Sequence, residues 1–273
     1  MNNDNLDYET VLDTHFSDIA EVYRTIRYTD PDPVYTIESY LDGIVNLKMV
    51  DIGSGTGRYD ELILDELDDK IFLTCVDRNE AMLEQLSDYL INNNYSQFET
   101  VIADASELPL ENERFDAVVS FNAIHHFDLE QAISEMARVT KNDGYIFIYT
   151  RIPAQNSQSI WGRHFPSFNE KETRLHSISV YENICRKSES ISLHAVHYYH
   201  YKRKATLSDL IKKANLKNYS TFNLYSQEEF NSSINEFVST IKNNYLINNE
   251  VTWLDHNVMI IIDKKTGQSR ITN

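Results

Sequence analysis

The run Val50-Asp51-Ile52-Gly53-Ser54-Gly55-Thr56-Gly57-Arg58 closes an apolar segment with alternate glycines, and a helix-forming stretch follows it. Glycine tolerates a left-handed backbone and lets a ligand lie against bare peptide groups. The first turn of a helix offers unpaired N–H groups to an anionic group, carboxylate or phosphate alike. Asp77 comes 20 residues after Gly57, at the end of Thr74-Cys75-Val76-Asp77. An acid at the tip of a second strand accepts both hydroxyls of a ribose. Loop and acid together therefore describe a nucleoside-type site. A dinucleotide oxidoreductase would need G-x-G-x-x-G. Here the third glycine falls one place early and Arg58 stands where it would be.

Positioning these residues takes strands that alternate with helices. Strand-like runs are Ile44–Ile52, Ile71–Val76, Phe98–Ala103, Phe115–Phe121 and Tyr145–Ile152, with helical stretches at Tyr59–Leu67, Glu80–Asn92 and Leu129–Thr140. In the last, Leu129, Ile133, Met136 and Ala137 recur at helical spacing, as a core-facing stripe does. Gly144 follows it and suits a left-handed helix end. Strict alternation implies parallel strands, right-handed crossovers and an open α/β sheet. Continuous apolar strands such as Tyr145–Tyr149 fit a sheet covered on both faces. Residues 1–43 read as helical arms broken at Asp30-Pro31-Asp32-Pro33. Beyond residue 152 the expectation is a break at Phe165-Pro166, a helix over Glu170–Lys187 and a β-like run at Leu193–Tyr201. Helices at Leu207–Leu216 and Gln227–Asn243 and a closing strand at Val258–Asp263 complete it.

The chain has 273 residues, 41% hydrophobic and 25% charged, with a formal net charge of −17. That charge argues against broad binding to polyanions, nucleic acid or anionic membrane. One basic stretch, Lys202–Lys217, sets Arg203, Lys204, Lys212 and Lys213 against Asp209. A solvated helix face is its simplest reading. Cys75 and Cys185 are the only cysteines, too few for a disulfide framework or a structural zinc site, and no metal is expected. Cys75, inside an apolar run, reads as a buried thiol. The polar start Met1-Asn2-Asn3-Asp4 is unlike a secretory signal, and no apolar run nears the ~18 residues of a membrane span, so a cytoplasmic location is expected.

The ordered motifs resemble class I S-adenosylmethionine-dependent methyltransferases, especially the ubiquinone/menaquinone-biosynthesis (type 11) group. Val50–Arg58 is similar to their first motif, and Val76-Asp77-Arg78-Asn79-Glu80-Ala81-Met82-Leu83 to the acidic loop and its helix. Asp104-Ala105-Ser106-Glu107-Leu108-Pro109-Leu110 is similar to the third-strand tip. Phe115–His126, through Asn122-Ala123-Ile124-His125-His126, is similar to the fourth-strand motif. About half the chain is covered well. The resemblance implies a doubly wound, mostly parallel, seven-stranded Rossmann-like α/β sheet. It divides the chain into an N-terminal helical arm (1–43), a cofactor-binding core (44–152) and a part (153–273) that completes the sheet and adds a helical lid on the acceptor side. It implies S-adenosyl-L-methionine as cofactor and S-adenosyl-L-homocysteine as product. Asp51 would take the methionyl ammonium, while Gly53, Ser54, Gly55 and Gly57 line methionine and ribose. Asp77, with Arg78 beside it, would hold the ribose diol, and Met82 would pack near the adenine. Asp104 and the Ala105 N–H would meet the adenine, and Asn122 and Ala123 would wall the methionine.

Transfer from a sulfonium is an in-line displacement in which positioning supplies much of the rate. A base is needed only if the acceptor must lose a proton. His126 is the first candidate for a substrate-side role, as base or wall; a histidine that merely packs is the alternative. His125 adjoins it. In the arm, His15-Phe16, Ala20, Tyr23 and Arg27 resemble the segment that folds over the cofactor in this family. Arg27 would bind an acceptor carboxylate or pair with a surface acid. Arg151, Trp161, Arg163 and His164 would shape an acceptor pocket, with Tyr198, Tyr199 and Tyr201 as additions or as sheet packing.

The expected function is methyl transfer to a small-molecule acceptor, by a monomer or homodimer that needs neither membrane nor nucleic acid. The alternatives are methylation of tRNA or protein through Lys202–Lys217, and a non-catalytic S-adenosylmethionine-binding regulator. The oxidoreductase reading comes last.

Overall fold

Short runs rich in Val, Ile, Leu and Phe, each ended by a polar or glycine turn, dictate the sheet. In the computed structural model, which describes Ala20 and residues 24–265, they become β1 (Leu47–Ile52), β2 (Ile71–Asp77), β3 (Phe98–Ile102), β4 (Phe115–Phe121) and β5 (Thr140–Thr150). Two longer strands follow, β6 (Ile191–Thr206) and β7 (Glu250–Lys264). The seven form one sheet in the order β3-β2-β1-β4-β5-β7-β6. β1 pairs in parallel with β2 and β4, β2 with β3 and β4 with β5, whereas β7 runs antiparallel to β5. The chain winds outward from β1 through β2 and β3, then returns to β4 on β1's other side. The switch point where such folds take ligands thus lies at the carboxyl ends of β1 and β4.

The chain divides into two compact units. Among the described residues the larger comprises Thr29–Thr150, His176–His197 and residues 258–265. Its helices include α1 (Asp32–Leu41), α2 (Arg58–Leu67), α3 (Glu80–Asn92) and α4 (Leu129–Val139). α4 buries Leu129, Ala132, Ile133, Met136 and Ala137, the stripe its spacing calls for, and Asp128 caps it by accepting from the Gln131 N–H. α1 opens at Pro31 with Pro33 inside its first turn, where proline costs no hydrogen bond. The central strands are buried along nearly their whole length, as a doubly covered sheet requires.

Among the described residues the smaller unit comprises Ala20, residues 24–28, Arg151–Leu175 and Tyr198–Asn257. It has its own aromatic core, in which Trp161, Phe165, Phe168, Phe222, Phe230 and Phe237 are all buried. Trp161 stacks on Phe237 at 5.0 Å and meets Phe222 edge-on at 5.2 Å.

Several boundaries differ from the sequence expectation, each for a local reason. β1 starts at Leu47 rather than Ile44, after a turn with left-handed backbone at Gly43 and Asn46. Gly144 is not a left-handed helix end; Asp143 takes that conformation (φ 63°) and Gly144 lies inside β5. Glycine is required there because a Cβ would stand 2.7 Å from the Asp116 carbonyl oxygen. The helix expected over Glu170–Lys187 is two, Phe168–Lys171 and α5 (Ile178–Lys187). Glu172 interrupts it: its buried carboxylate accepts from Arg174 and, at 2.5 Å, from the Thr221 hydroxyl. Both late strands are longer than expected, because their outer halves alternate polar and aromatic residues and lack an apolar run.

Candidate active site

The glycine loop is built on the tip of β2. The N–H groups of Gly53 and Ser54 both donate to the Val76 carbonyl, at 2.8 and 3.0 Å, and the Ser54 hydroxyl donates to the same oxygen at 3.0 Å. Gly53, Gly55 and Gly57 all have positive φ. A Cβ on Gly53 would lie 2.4 Å from the Ala123 Cβ, so this glycine lets the tips of β1 and β4 close together. A Cβ on Gly57 would strike Leu86 of α3 at 2.7 Å. Gly55 differs: nothing lies within 4 Å of its missing Cβ, which leaves its backbone bare. Its N–H donates to Asp77 Oδ2 at 2.8 Å.

Asp77 is held from two sides, since its Oδ1 accepts from the Asn79 N–H at 2.9 Å. Burial lifts its pKa above the usual carboxylate value, while the N–H groups of Asn79, Gly55 and Arg78 and the Arg78 charge pull it back. Asn79 caps α3 by accepting from the Met82 N–H, and the Met82 side chain is buried. The Ala103 N–H donates to the Asp77 carbonyl at 3.1 Å, bringing the β3 tip alongside. There Asp104 is exposed, its Oδ1 accepting from the Ser106 N–H at 2.8 Å, and Ala105 is buried. After β4, Asn122 adopts a left-handed backbone (φ 55°) and its N–H donates to the Tyr149 carbonyl at 2.7 Å. The single turn Ile124–His126 follows, with the His125 and His126 rings 4.1 Å apart.

Beneath the loop lie carboxylates. Asp51 is 1% exposed and its Oδ1 has no hydrogen-bond partner. Burial, then the charges of Asp60 and Asp77, hold its pKa well above the ordinary range. An orphaned, buried carboxylate oxygen is costly to leave unmatched and suits a cationic ligand group. With the bare Gly55 backbone and the anchored Asp77 carboxylate, the residues fit a nucleoside carrying an ammonium. Asp60, on α2, accepts from the buried Cys75 thiol at 3.1 Å; sequence reasoning passed over it. Its signal is a carboxylate on the buried stripe Asp60, Ile63, Leu64, Leu67.

The remaining sequence candidates belong to the smaller unit. Tyr23 lies outside the described residues, as do His15 and Phe16. Arg27 donates to the Asn218 carbonyl at 2.7 Å and lies over the Tyr219 ring at 4.3 Å. Arg151 is buried in an ion pair with Asp255 at 3.1 Å and also donates to the His256 carbonyl. Trp161 is packed in the aromatic core. The His164 ring lies 4.3 Å from that of Tyr245, and burial, with the Arg163 charge, lowers its pKa. In the basic stretch, Arg203 pairs with Asp255 at 3.5 Å, Lys204 with Glu250 at 2.5 Å, and Lys213 lies over the Tyr28 ring. Among the described residues no helix is long and apolar enough to cross a membrane, and no group of three or more His, Cys, Asp or Glu is placed to hold a metal.

Residues 50–148 match the family model described as "Methyltransferase domain". The tRNA (carboxymethyluridine(34)-5-O)-methyltransferase of Schizosaccharomyces pombe is 27% identical over 74% of this chain and 83% of its own length. A malonyl-[acyl-carrier protein] O-methyltransferase of Geobacter sulfurreducens is 31% identical over 38% of this chain and 39% of its own. Several other curated relatives are matched over only 14–36% of their lengths. In fold, the chain resembles phosphoethanolamine N-methyltransferase 2 of Haemonchus contortus, solved with phosphomonomethylethanolamine and S-adenosylhomocysteine. The TM-score is 0.59 at 17% identity, over 95% of this chain and 60% of that one. Residues 50–148 are thus a class I S-adenosylmethionine-dependent methyltransferase domain.

Proposed function

We propose, on the premise of that domain, that the protein transfers the methyl of S-adenosylmethionine to an oxygen of a small carboxylic acid. The observation that carries the cofactor side of the reading is the Asp77 carboxylate fixed by the Gly55 and Asn79 N–H groups beside an open glycine loop; the acceptor side rests on the relatives' names. In this reading Asp77 takes the ribose diol and Asp51 the ammonium. Gly53, Ser54, Gly55, Gly57, Asn122 and Ala123 enclose the methionine. Met82, Asp104 and Ala105 border the adenine. The cofactor supplies a methyl already activated by a positive sulfur, so these residues need only hold, orient and exclude water. Two relatives are named as O-methyltransferases, one of malonyl-[acyl-carrier protein] and one of a tRNA carboxymethyluridine, which supports an oxygen acceptor rather than its size. A carboxylate oxygen has no proton to lose near pH 7, so His126 serves as a wall rather than a base.

The small-acceptor reading is supported by the net charge of −17 and by the spending of Arg203 and Lys204 on internal acids. A second reading, methylation of tRNA, is favoured by the fission-yeast relative, aligned over 74% of this chain. Incubation with S-adenosylmethionine labelled in the methyl group, against small carboxylic acids and against total tRNA, separates them. A methyl ester yields volatile methanol on mild alkaline treatment. Label in that form in the small-molecule fraction is the expected result; label in the RNA would move the assignment to the second reading. Bound cofactor with no transfer to either would leave a non-catalytic binder.

A further inference from the structure

Tyr59 stands two residues after Gly57, which caps α2 in a left-handed conformation (φ 73°), so the glycine loop runs directly into this side chain. Tyr59 is 3% exposed. Its ring lies parallel to that of Phe121, with 4.1 Å between centroids and 7° between planes, and meets Tyr149 edge-on at 5.8 Å. The strand register accounts for the meeting. Asp51 pairs with Cys75 and with Val119, and Phe121 pairs with Tyr149, so Phe121 and Tyr149 leave the sheet by the face that carries Asp51 and Cys75. α2 covers that face, since its Asp60 accepts from the Cys75 thiol at 3.1 Å. Both rings beside Tyr59 bear on one residue. Phe121 is joined to Asn122 by a peptide bond, and the Tyr149 carbonyl accepts the Asn122 N–H at 2.7 Å. The start of α2 is itself anchored: Arg58 donates to Thr29 Oγ1 at 2.7 Å, and the Asp30 N–H donates to the Tyr59 hydroxyl oxygen at 3.4 Å.

We propose that Tyr59 is a positioning residue for methyl transfer. Through its stack on Phe121 it holds Asn122 and Ala123 at a fixed separation from Gly53–Gly57, so that the methionine end of the cofactor is gripped in one orientation. The proposal rests on the reading that these residues enclose the methionine, and it adds the buried residue that sets the width of the enclosure. Parallel rings fix tilt as well as distance, which an aliphatic side chain of similar size does not. Orientation matters in an in-line displacement, where a misplacement of about 1 Å costs on the order of 10²-fold in rate.

The test compares two ligands by titration calorimetry in wild type, Tyr59→Leu and Tyr59→Phe. S-adenosylhomocysteine carries the methionine-derived chain; 5′-methylthioadenosine keeps adenine, ribose and sulfur but lacks that chain. In Tyr59→Leu the preference for S-adenosylhomocysteine over 5′-methylthioadenosine is expected to fall by at least about tenfold, while affinity for the latter stays within about threefold of wild type. Tyr59→Phe keeps the stack and is expected to restore the preference. A side chain that merely filled the core would change both affinities together. An unchanged preference in folded Tyr59→Leu overturns the proposal, and so does a preference that Tyr59→Phe does not restore. Amide spectra of wild type separate the two levels. S-adenosylhomocysteine should shift Asn122 and Ala123 more than 5′-methylthioadenosine does. Equal responses there sink the enclosure itself, whereas a clear difference combined with an unchanged preference in Tyr59→Leu sinks only the positioning role. Should Tyr59→Leu fail to fold, Phe121→Leu removes the same stack from the β4 side. It is expected to lose the same preference, and an unchanged preference in it is the contrary result.

Discussion

Replacing Asp77 with asparagine tests the ribose clamp with the least change of shape. In wild type both carboxylate oxygens accept a backbone N–H, from Gly55 at 2.8 Å and from Asn79 at 2.9 Å. An asparagine carbonyl satisfies one of those N–H groups; its NH₂ then faces the other, donor against donor. The variant also loses the charge assistance to the two ribose hydroxyls. A hydrogen bond to a charged group contributes about 1.5–3 kcal/mol. One such loss weakens S-adenosylhomocysteine binding about 10- to 150-fold. Titration calorimetry reads this directly, and Asp77→Ala is expected to lose at least as much. Burial already raises the Asp77 pKa in the fold, so removing its charge does not in itself destabilise the protein at neutral pH. A thermal scan of the free variant guards against misfolding. Affinity within twofold of wild type, in a folded variant, would refute the assignment.

Further outcomes follow from the same geometry. The raised Asp51 pKa means the ligand-free native state binds its proton more tightly than the unfolded chain does. This group's contribution to stability is therefore lost as pH rises from the ordinary carboxylate range through the folded value. Unliganded Asp51→Asn should melt above wild type at pH 8, by a margin that narrows toward pH 5 in scanning calorimetry, and should bind cofactor more weakly. With a carboxylate acceptor, His126→Gln should lose less than tenfold in kcat. A loss of 10²–10⁴, the range of general-base catalysis, would show that the acceptor gives up a proton there. Gly144→Ala places a methyl 2.7 Å from the Asp116 carbonyl oxygen and 2.8 Å from Thr140 Cγ2. Strain of this kind costs about 1–3 kcal/mol, and a melting temperature within a degree of wild type would contradict the contact.

The parts of the molecule legible in the sequence are those fixed locally. The glycine loop and the acid at the β2 tip lie next to the strands and helices that place them, so spacing alone puts them at one corner. What stayed hidden depends on partners distant in sequence. Asp60 and Cys75 meet across 15 residues only because α2 lies on β2. Glu172 ends a helix because Thr221, 49 residues on, takes its carboxylate. Gly144 follows a helix in the sequence, but the Asp116 carbonyl on the neighbouring strand decides its role. Trp161 is packed against Phe237 and Phe222 in an aromatic core whose members are scattered from Ile160 to Val251, partners that no local pattern around position 161 announces.

The most direct test of the whole assignment is a ¹H–¹⁵N amide map of the protein titrated with S-adenosylhomocysteine and, separately, with NADH. The largest shifts on adding the former should fall at Gly55, Asp77, Asn79, Ala105 and Asn122, with no comparable response to NADH. Shifts confined to other residues, or the same response to NADH, would contradict the claim that this corner is built for a sulfonium nucleoside.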